Sequence, residues 1–390
     1  MFVLGAGASR SITEKSPLMN DFFGKAIEYY IINEEWKQYP QILLALIEVE
    51  KNRLFPSNVI IEAIADKICQ RYDGNVKEDS ELNDLIQQYC KVFIEDATRY
   101  GANLENIFSM ADNLEDRSAF NRMLYAINAV FSKLHQDISE VKNYQELACI
   151  LSGAMSDSKT GVSIITFNYD IWLEKEMQKA GLWHPGNGYG VEFDYVTVAD
   201  IKKILPFKSG SQYPLQIRSF ENNNYSSRFL ILKPHGSLSW YYDTENSKKF
   251  VMLDSDGIVS DNKNKGWEIT DYVNDSDYVP LLIPPTFAKE RNNSLFGEID
   301  KQIQEKLSDA DVVVIIGWSM PETDIGHVGK IEDVFNHKKK RLSKLVVCDT
   351  RHINDRLYSR FESVFKPKEQ IGKYPYGFSI EFLRWLSCNM

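Results

Sequence analysis

The sequence lacks the features that would place it in a membrane or in an oxidising compartment. No apolar run reaches eighteen residues, which is about the shortest stretch expected of a membrane-spanning helix. The chain of 390 residues has five cysteines, an odd number, and no two of them form a Cys-x-x-Cys pair. Scattered cysteines are typical of reduced thiols in a cytoplasm, and they leave no ligand set for a cysteine-bound zinc ion. We therefore expect a cytoplasmic protein that holds no zinc.

Positive charge is outnumbered by negative charge. Lysine and arginine number 45 against 55 acidic residues, so the net charge is −10. An acidic chain makes a poor surface for phosphate backbones, and we expect no broad nucleic-acid interface. The one basic run, Lys338-Lys339-Lys340-Arg341, is typical of a solvated helix end, with a local basic patch as the alternative.

Several familiar signatures of catalysis are missing. The chain has no Walker glycine-lysine loop, no Gly-x-Ser-x-Gly elbow and no His-x-x-x-His metal pair. These absences argue against a P-loop nucleotidase, a hydrolase built on a serine elbow and a helical zinc site. The N-terminus shows no basic segment followed by a long apolar stretch, so we expect no signal peptide.

A glycine-rich turn lies close to the N-terminus. The apolar run 2–4 leads into Gly5-Ala6-Gly7-Ala8-Ser9, a pattern that predicts a buried strand, a tight turn and the start of a helix. Glycines let a backbone approach a phosphate, and a helix N-terminus favours its negative charge. The full dinucleotide pattern would need a third glycine at position 10, where Arg10 stands, so a turn without a ligand is the alternative.

Short apolar runs recur further along, separated by helical patterns. This alternation predicts an α/β fold, a Rossmann-like doubly wound parallel sheet with right-handed crossovers. Ser239–Tyr242 and 250–253 predict an antiparallel side element. Ligands of such sheets bind beyond the carboxyl ends of the strands. The predicted strands are 2–4, 162–167, 229–232, 311–317 and 345–349, and the residues at or just beyond their carboxyl ends include Gly5, Asn168, His235, Gly317 and Asp349.

Between these strands lies a long stretch with few strand signals. We predict a large all-helical insert at 21–155, and a Rossmann-like core made of 1–20 and 156–390. A segment at 103–109 is interpreted as helix capping rather than as a ligand site. The helical patterns of the insert run over 22–31, 42–54, 58–64, 82–97, 120–135 and 144–155.

Three motifs together resemble the sirtuin family. The glycine turn is followed by Thr166-Phe167-Asn168-Tyr169-Asp170 and then by Lys233-Pro234-His235-Gly236, each after a predicted strand. The order is most similar to the bacterial sirtuin-like NAD-consuming proteins of antiphage defence, over about 1–20 and 160–365. The turn Gly317-Trp318-Ser319 resembles the sirtuin Gly-x-Ser turn. Pro17 matches the sirtuin loop over nicotinamide only loosely, because the Phe-Arg pair is absent.

The residues and the resemblance together imply roles. Histidine titrates near neutrality, so His235 suits a general base, and the amide of Asn168 can hold a water or a ribose hydroxyl. From the residues alone, Asn168 or Asp170 could instead cap the next helix, as could Thr323 or Asp324 near the second turn. The predicted NAD contacts are Gly5, Ala6, Gly7, Ser9, Thr166, Asp170, Gly317, Ser319 and Asp349.

The resemblance also implies an activity. A sirtuin deacylase carries a four-cysteine zinc module, which this chain cannot build, so we expect NAD+ glycohydrolase activity with NAD as the substrate. Such activity would need control. The chain ends soon after the predicted core, so we expect a homo-oligomer or a separate partner, with a HerA-type ATPase as the leading candidate. The alternatives are a catalytically silent nucleotide-binding or scaffold subunit of a defence complex, and an ADP-ribosyl transferase.

Overall fold

A computed structural model gives the fold of the chain. It describes residues 1–18, 21–27, 80–100, 140–156, 161–191, 228–243, 250–252, 278–283, 294–338, 341–352 and 355–389, with isolated helical positions between 47 and 138. The predicted segment at 103–109 and the predicted helices at 42–54 and 58–64 lie almost wholly outside the described residues. So do the loops at 192–227 and the middle of the basic run.

Nine strands form two sheets in the described part of the chain. Six parallel strands make the main sheet in the order β3-β2-β1-β7-β8-β9, and an antiparallel sheet has the order β5-β4-β6. The strands are β1 (Phe2–Leu4), β2 (Val162–Thr166), β3 (Phe229–Leu232), β4 (Gly236–Asp243), β5 (Phe250–Met252), β6 (Tyr278–Leu282), β7 (Val312–Ile316), β8 (Lys344–Cys348) and β9 (Gly372–Tyr374).

The main sheet has the strand order of a doubly wound fold. The chain runs from β1 outward to β3, returns to the other side of β1 at β7, and continues outward to β9. Val3 lies between Ile165 of β2 and Ile315 of β7, and all three side chains are fully buried. Burial on both faces explains why these strands are continuous apolar runs. The predicted Rossmann-like parallel sheet is confirmed, and its switch point lies between β1 and β7.

The small sheet continues directly from β3. The predicted antiparallel pair is confirmed, with Trp240 of β4 opposite Met252 of β5, and β6 lies on the other side of β4. Gly236 opens β4 with a φ of +82°, and a Cβ there would lie 2.0 Å from the carbonyl oxygen of Leu281. Only glycine fits this close approach. The pairing of β4 with β6 thereby determines where His235, the residue before Gly236, is held.

Helices flank the main sheet, and those at Phe22–Ala26, Ser80–Tyr100 and Lys142–Met155 fall on three of the predicted helical patterns. The helix after β2 is followed by Gly181, which lies in the left-handed region at a φ of +69°. The helices of the described residues are α1 (Ala6–Arg10), α2 (Phe22–Ala26), α3 (Ser80–Tyr100), α4 (Lys142–Met155), α5 (Trp172–Lys179), α6 (Pro185–Gly188), α7 (Ser294–Asp309), α8 (Ile325–His337), α9 (Arg356–Phe365) and α10 (Ile380–Asn389). None of these described helices is long and apolar enough to span a bilayer.

Helix α4 falls inside the predicted insert but packs on the core. It contacts α5 and α10. The side chain of Asn143 donates a hydrogen bond to the carbonyl oxygen of Phe378 at 3.0 Å, and the rings of Tyr144 and Phe378 are 5.6 Å apart. The insert boundaries stay a prediction, and this helix brings residues of the predicted insert next to the strand ends.

Candidate functional site

Two turns at the switch point pack against each other through their backbones. The amide of Gly5 donates to the carbonyl oxygen of Ile316, and that of Gly7 to the carbonyl oxygen of Gly317, both at 3.0 Å. A Cβ on Gly5 would lie 2.5 Å from the Cα of Trp318, and one on Gly7 would lie 2.8 Å from the Cα of Gly317. Packing of the turns therefore requires both N-terminal glycines, whether or not a ligand is bound.

Arg10, which replaces the third glycine of a dinucleotide motif, ends α1 and organises the loop that follows. Its guanidinium donates to the carbonyl oxygen of Ser16 at 2.6 Å and lies 3.2 Å from the carboxylate of Asp21. The other oxygen of Asp21 accepts from the amide of Leu18 at 2.6 Å. These bonds fix both sides of Pro17, so the loop that matches the sirtuin pattern loosely is tied down next to the glycine turn.

Asn168 follows β2 and reaches across to the glycine turn. Its side-chain amide donates to the carbonyl oxygen of Gly5 at 3.0 Å, and its backbone amide donates to the hydroxyl of Thr166 at 3.2 Å. The cap position of α5 is occupied by Ile171, whose side chain makes no capping bond. The alternative that Asn168 caps this helix is therefore wrong, because its side chain is bonded to another loop.

Ser9 and Asp170 lie behind Asn168 in a buried network. The Ser9 hydroxyl donates to one carboxylate oxygen of Asp170 at 2.5 Å, and the other oxygen accepts from the amide of Trp172 at 3.4 Å. Tyr144 from α4 hydrogen-bonds both Ser9 and Asn168. Burial, with the charges of nearby carboxylates, raises the pKa of this phenol well above 10. Tyr144 therefore stays protonated, and sequence patterns did not identify it.

A buried ion pair supports the loop after β2 that carries Asn168 and Asp170. The ammonium of Lys233 lies 2.6 Å from the carboxylate of Glu174, and both side chains are at most 1% exposed. The ammonium also donates to the carbonyl oxygen of Asp170 at 2.6 Å. Burial raises the pKa of Asp170 and of Glu174, and the charge of Lys233 opposes that rise. The lysine thus ties the end of β3 to the loop that carries Asn168.

His235 lies at the end of β3, opposite the second turn. Its Nε2 is 3.1 Å from one carboxylate oxygen of Asp324, and the other oxygen accepts from the indole nitrogen of Trp318 at 3.0 Å. The ring of Phe167 contacts the rings of both Trp318 and His235. It is stacked on Trp318 at a centroid distance of 4.8 Å, and its centroid lies 5.1 Å from that of His235. Asp324 occupies the cap position of α8 without a capping bond, so the capping alternative is wrong for it as well.

The remaining predicted contacts lie along the same edge. Gly317 and Met320 both have left-handed backbones, with φ of +60° and +50°, which makes a sharp turn around the half-buried Ser319. Asp349 follows β8, and its carboxylate accepts from the amide of Arg351 at 3.0 Å and lies 3.5 Å from the guanidinium of that residue. The amide of Gly317 donates to the carbonyl oxygen of Cys348, which joins the β7 and β8 ends.

A second histidine lies against His235, and sequence patterns did not single it out. The ring of His327, from α8, is centred 5.5 Å from the ring of His235. Its Nδ1 is 3.6 Å from the carboxylate of Asp300, which also lies 2.5 Å from the ammonium of Lys330. The general base candidate thus has a titratable neighbour that its own motif does not contain.

The geometry assigns different places to the predicted residues. Asn168 follows β2 and His235 follows β3, both on the same side of the switch point between β1 and β7. Their side chains are buried, as are those of Ser9, Thr166 and Asp170. Within the described residues no group of three or more histidine, cysteine or acidic side chains is arranged to hold a metal ion. An imidazole held by a carboxylate can accept a proton from a hydroxyl or a water at this edge.

Comparisons with known proteins give distant similarities. No family model and no curated protein matches the sequence. Among solved structures, the chain is similar to Sir2 bound to acetylated peptide, with 13% identity, a TM-score of 0.36, and coverage of 72% of this chain and 82% of that one. It is also similar to Sir2 with p53 peptide and NAD+, at 14% identity, a TM-score of 0.36, and coverage of 73% and 82%.

A third similar structure is Sir2 in complex with the inhibitor EX-527, 2′-O-acetyl-ADP-ribose and deacetylated p53 peptide. Its identity is 14% and its TM-score 0.37, with coverage of 75% of this chain and 89% of that one. At such identities no residue's role is transferred from those proteins to this chain.

Proposed function

We propose that the protein is an NAD+ glycohydrolase, which uses water to split the bond between nicotinamide and ribose and releases nicotinamide and ADP-ribose. One observation carries the proposal. The side chain of Asn168 is anchored on the carbonyl oxygen of Gly5, and His235 is held by Asp324 on the facing turn. An amide and a general base are thus each bonded to a segment at the switch point, where doubly wound sheets bind nucleotides.

The reaction follows from the roles of these two side chains. The electron pair of the glycosidic bond leaves with nicotinamide, and the ribose carbon becomes an oxocarbenium-like cation. Asn168 positions the water or ribose hydroxyl, and water adds to the cation. The proton released in that step passes to His235 through the ribose hydroxyls. Nicotinamide is a neutral leaving group, so no side chain has to protonate it.

We propose the remaining contacts from their places at the edge. The amides of Gly5 and Gly7 are already engaged by the second turn. The backbone of Ala6 at the start of α1 and the hydroxyl of Ser319 are then left to meet the pyrophosphate. Asp349 would accept a ribose hydroxyl, as acidic residues after strands do in dinucleotide folds.

As the sequence resemblance implies, we further propose an antiphage defence effector that is gated by assembly. Free hydrolysis of NAD would harm the cell that makes the enzyme, so the activity has to be controlled. The proposed control is a homo-oligomer or a complex with a HerA-type ATPase. Scattering or mass photometry of the protein, alone and with the product of a neighbouring ATPase gene, tests this part. A monomer under both conditions at micromolar concentration contradicts it.

Nicotinamide release by the assembled protein tests the activity. We expect His235→Ala and Asn168→Ala to lower turnover by about 10²- to 10⁴-fold, the usual contribution of general base assistance, while NAD binding measured by calorimetry is retained. His337→Ala and Asn336→Ala are matched controls, because both lie on α8 and their contacts are exposed. The controls should match wild type.

Three results discriminate between the alternatives. If wild type depletes NAD and His235→Ala does so at the same rate, the mechanism is wrong. If labelled ADP-ribose from NAD appears on protein rather than in solution, the chain is an ADP-ribosyl transferase. If wild type binds NAD but no assembly consumes it, the chain is a silent nucleotide-binding subunit.

A further inference from the structure

The carboxylate of Asp324 is buried without serving the helix that it precedes. An aspartate at a helix cap position ordinarily accepts a hydrogen bond from an amide of the first turn. Here the side chain makes no capping bond, although it is 3% exposed. A buried carboxylate is costly unless it is paired. The burial of the Asp324 carboxylate is therefore explained by partners outside helix α8.

Both oxygens of this carboxylate are directed at rings of the site. One lies 3.1 Å from Nε2 of His235, and the other accepts from the indole of Trp318 at 3.0 Å. The indole is in turn stacked on Phe167, with the planes 14° apart, and Phe167 meets the His235 ring at 64°. The carboxylate of Asp324 and the ring of Phe167 thus both hold the orientation of the imidazole.

We propose that Asp324 is a positioning residue that fixes the tautomer of His235. A carboxylate oxygen can only accept a hydrogen bond, so Nε2 of the imidazole carries the hydrogen and Nδ1 is the nitrogen that takes up a proton. The charge of Asp324 also stabilises the imidazolium once the proton has arrived. The kinetic consequence rests on the proposed glycohydrolase function, whereas the tautomer can be measured without turnover.

Other titratable groups also lie near the imidazole, and the test has to distinguish their influence from that of Asp324. The ring of His327 is centred 5.5 Å away and that of Tyr169 6.4 Å away. His327 contacts the carboxylate of Asp300, which is paired with the ammonium of Lys330. The ammonium of Lys233 is paired with Glu174. The carboxylate of Asp324 lies within hydrogen-bond distance of Nε2 of His235, whereas Asp300 on α7 contacts His327. Replacing Asp324 should therefore change the tautomer of His235 more than replacing Asp300.

The diagnostic variant is Asp324→Asn, which keeps the shape and removes one acceptor and the charge. An asparagine places its one acceptor oxygen at only one of the two carboxylate oxygen positions, so that oxygen faces either Trp318 or His235. If its amino group faces Nε2, the imidazole must reverse its tautomer. Asp333→Asn is the matched control, because it is the same substitution on α8 at a 73% exposed side chain.

Two measurements on these variants test the proposal. Nitrogen-15 spectra of histidine-labelled protein, with His235→Ala to assign the signal, should show Nε2–H in wild type and in Asp333→Asn, and a reversed or mixed tautomer in Asp324→Asn. Nicotinamide release should show kcat lower by about ten- to a hundredfold in Asp324→Asn, with a nearly unchanged KM. The acid limb of its pH–rate profile should move to lower pH, because the charge that favours imidazolium is gone.

Trp318→Phe separates positioning from folding. Phenylalanine keeps the stacking on Phe167 and leaves Asp324 free to accept from Nε2, so the wild-type tautomer should persist and kcat should fall less. An unchanged tautomer and an unchanged pH profile in Asp324→Asn overturn the proposal, even if kcat falls. Should wild type consume no NAD in any assembly, the proposed function fails, and the nitrogen spectra alone decide whether Asp324 sets the tautomer.

Discussion

Replacing Lys233 with methionine should destabilise the protein strongly, because it removes one half of a buried ion pair. The ammonium of Lys233 is fully buried and lies 2.6 Å from the carboxylate of Glu174. It also donates to the carbonyl oxygen of Asp170 at 2.6 Å and reaches that of Tyr169 at 3.5 Å. Methionine fills most of the same volume, so the variant loses the charge and its hydrogen bonds rather than the packing.

The size of the effect follows from what Lys233→Met leaves behind. Removing one partner of a buried pair typically costs about 3–5 kcal/mol, since the other charge stays buried and uncompensated. The two carbonyl oxygens that lose their donor belong to the same penalty. Replacing Glu174 as well, in Lys233→Met/Glu174→Leu, removes the orphaned charge. We expect that double variant to be more stable than Lys233→Met, so that the two changes are strongly non-additive.

The penalty should depend on pH with a definite sign. Burial already raises the pKa of Glu174 above its ordinary 4.5, and Lys233 opposes that rise. Without the lysine the folded carboxyl holds its proton more tightly than the unfolded one. The stability of Lys233→Met is therefore highest below the unfolded pKa and falls as pH rises through the raised folded pKa. The deficit relative to wild type should be smaller at pH 5.5 than at pH 7.5.

Urea unfolding followed by tryptophan fluorescence measures these differences. Lys301→Met is the matched control, because its ammonium also lies near a carboxylate, 3.8 Å from that of Glu298, but the lysine is 63% and the glutamate 46% exposed. An exposed pair is worth about 0–1 kcal/mol, so the control should unfold nearly as wild type does. A loss below about 1 kcal/mol in Lys233→Met, or strict additivity with Glu174→Leu, would refute the reasoning.

Two further predictions concern buried groups outside this pair. Tyr144→Phe removes the phenol that hydrogen-bonds Ser9 and Asn168. Because Asn168 loses a support, the variant should lose about 1–2 kcal/mol of unfolding free energy in urea and release nicotinamide more slowly. Wild-type turnover in this variant would contradict a link between α4 and the site. Burial raises the pKa of the Cys90 thiol to about 12. At pH 8 iodoacetamide should therefore label the exposed Cys149 and leave Cys90 unmodified until urea is added, as measured by mass spectrometry of peptides. Labelling of Cys90 before urea is added would contradict its buried position.

The sequence alone was enough to predict the parallel main sheet and the edge at which the candidate site residues lie. Strands such as 312–316 are buried on both faces, so they consist of apolar, β-branched residues that stand out from the surrounding helices. Alternation with helices then makes the sheet parallel, and parallel strands direct their carboxyl ends to one edge. Strand β9 escaped prediction because its three residues, Gly372–Tyr374, are half-buried and form no apolar run.

The tertiary structure decided what the individual polar side chains do. Asn168 and Asp324 each precede a helix, and capping is the local expectation for such residues. Each bonds elsewhere because a distant segment brings a better partner within reach, for Asn168 the carbonyl oxygen of Gly5, 163 positions away. Tyr144 and Lys233 belong to apolar patterns whose local sequence holds no sign of their contacts. Local sequence predicts elements, whereas a side chain's partner depends on which loops the sheet brings together.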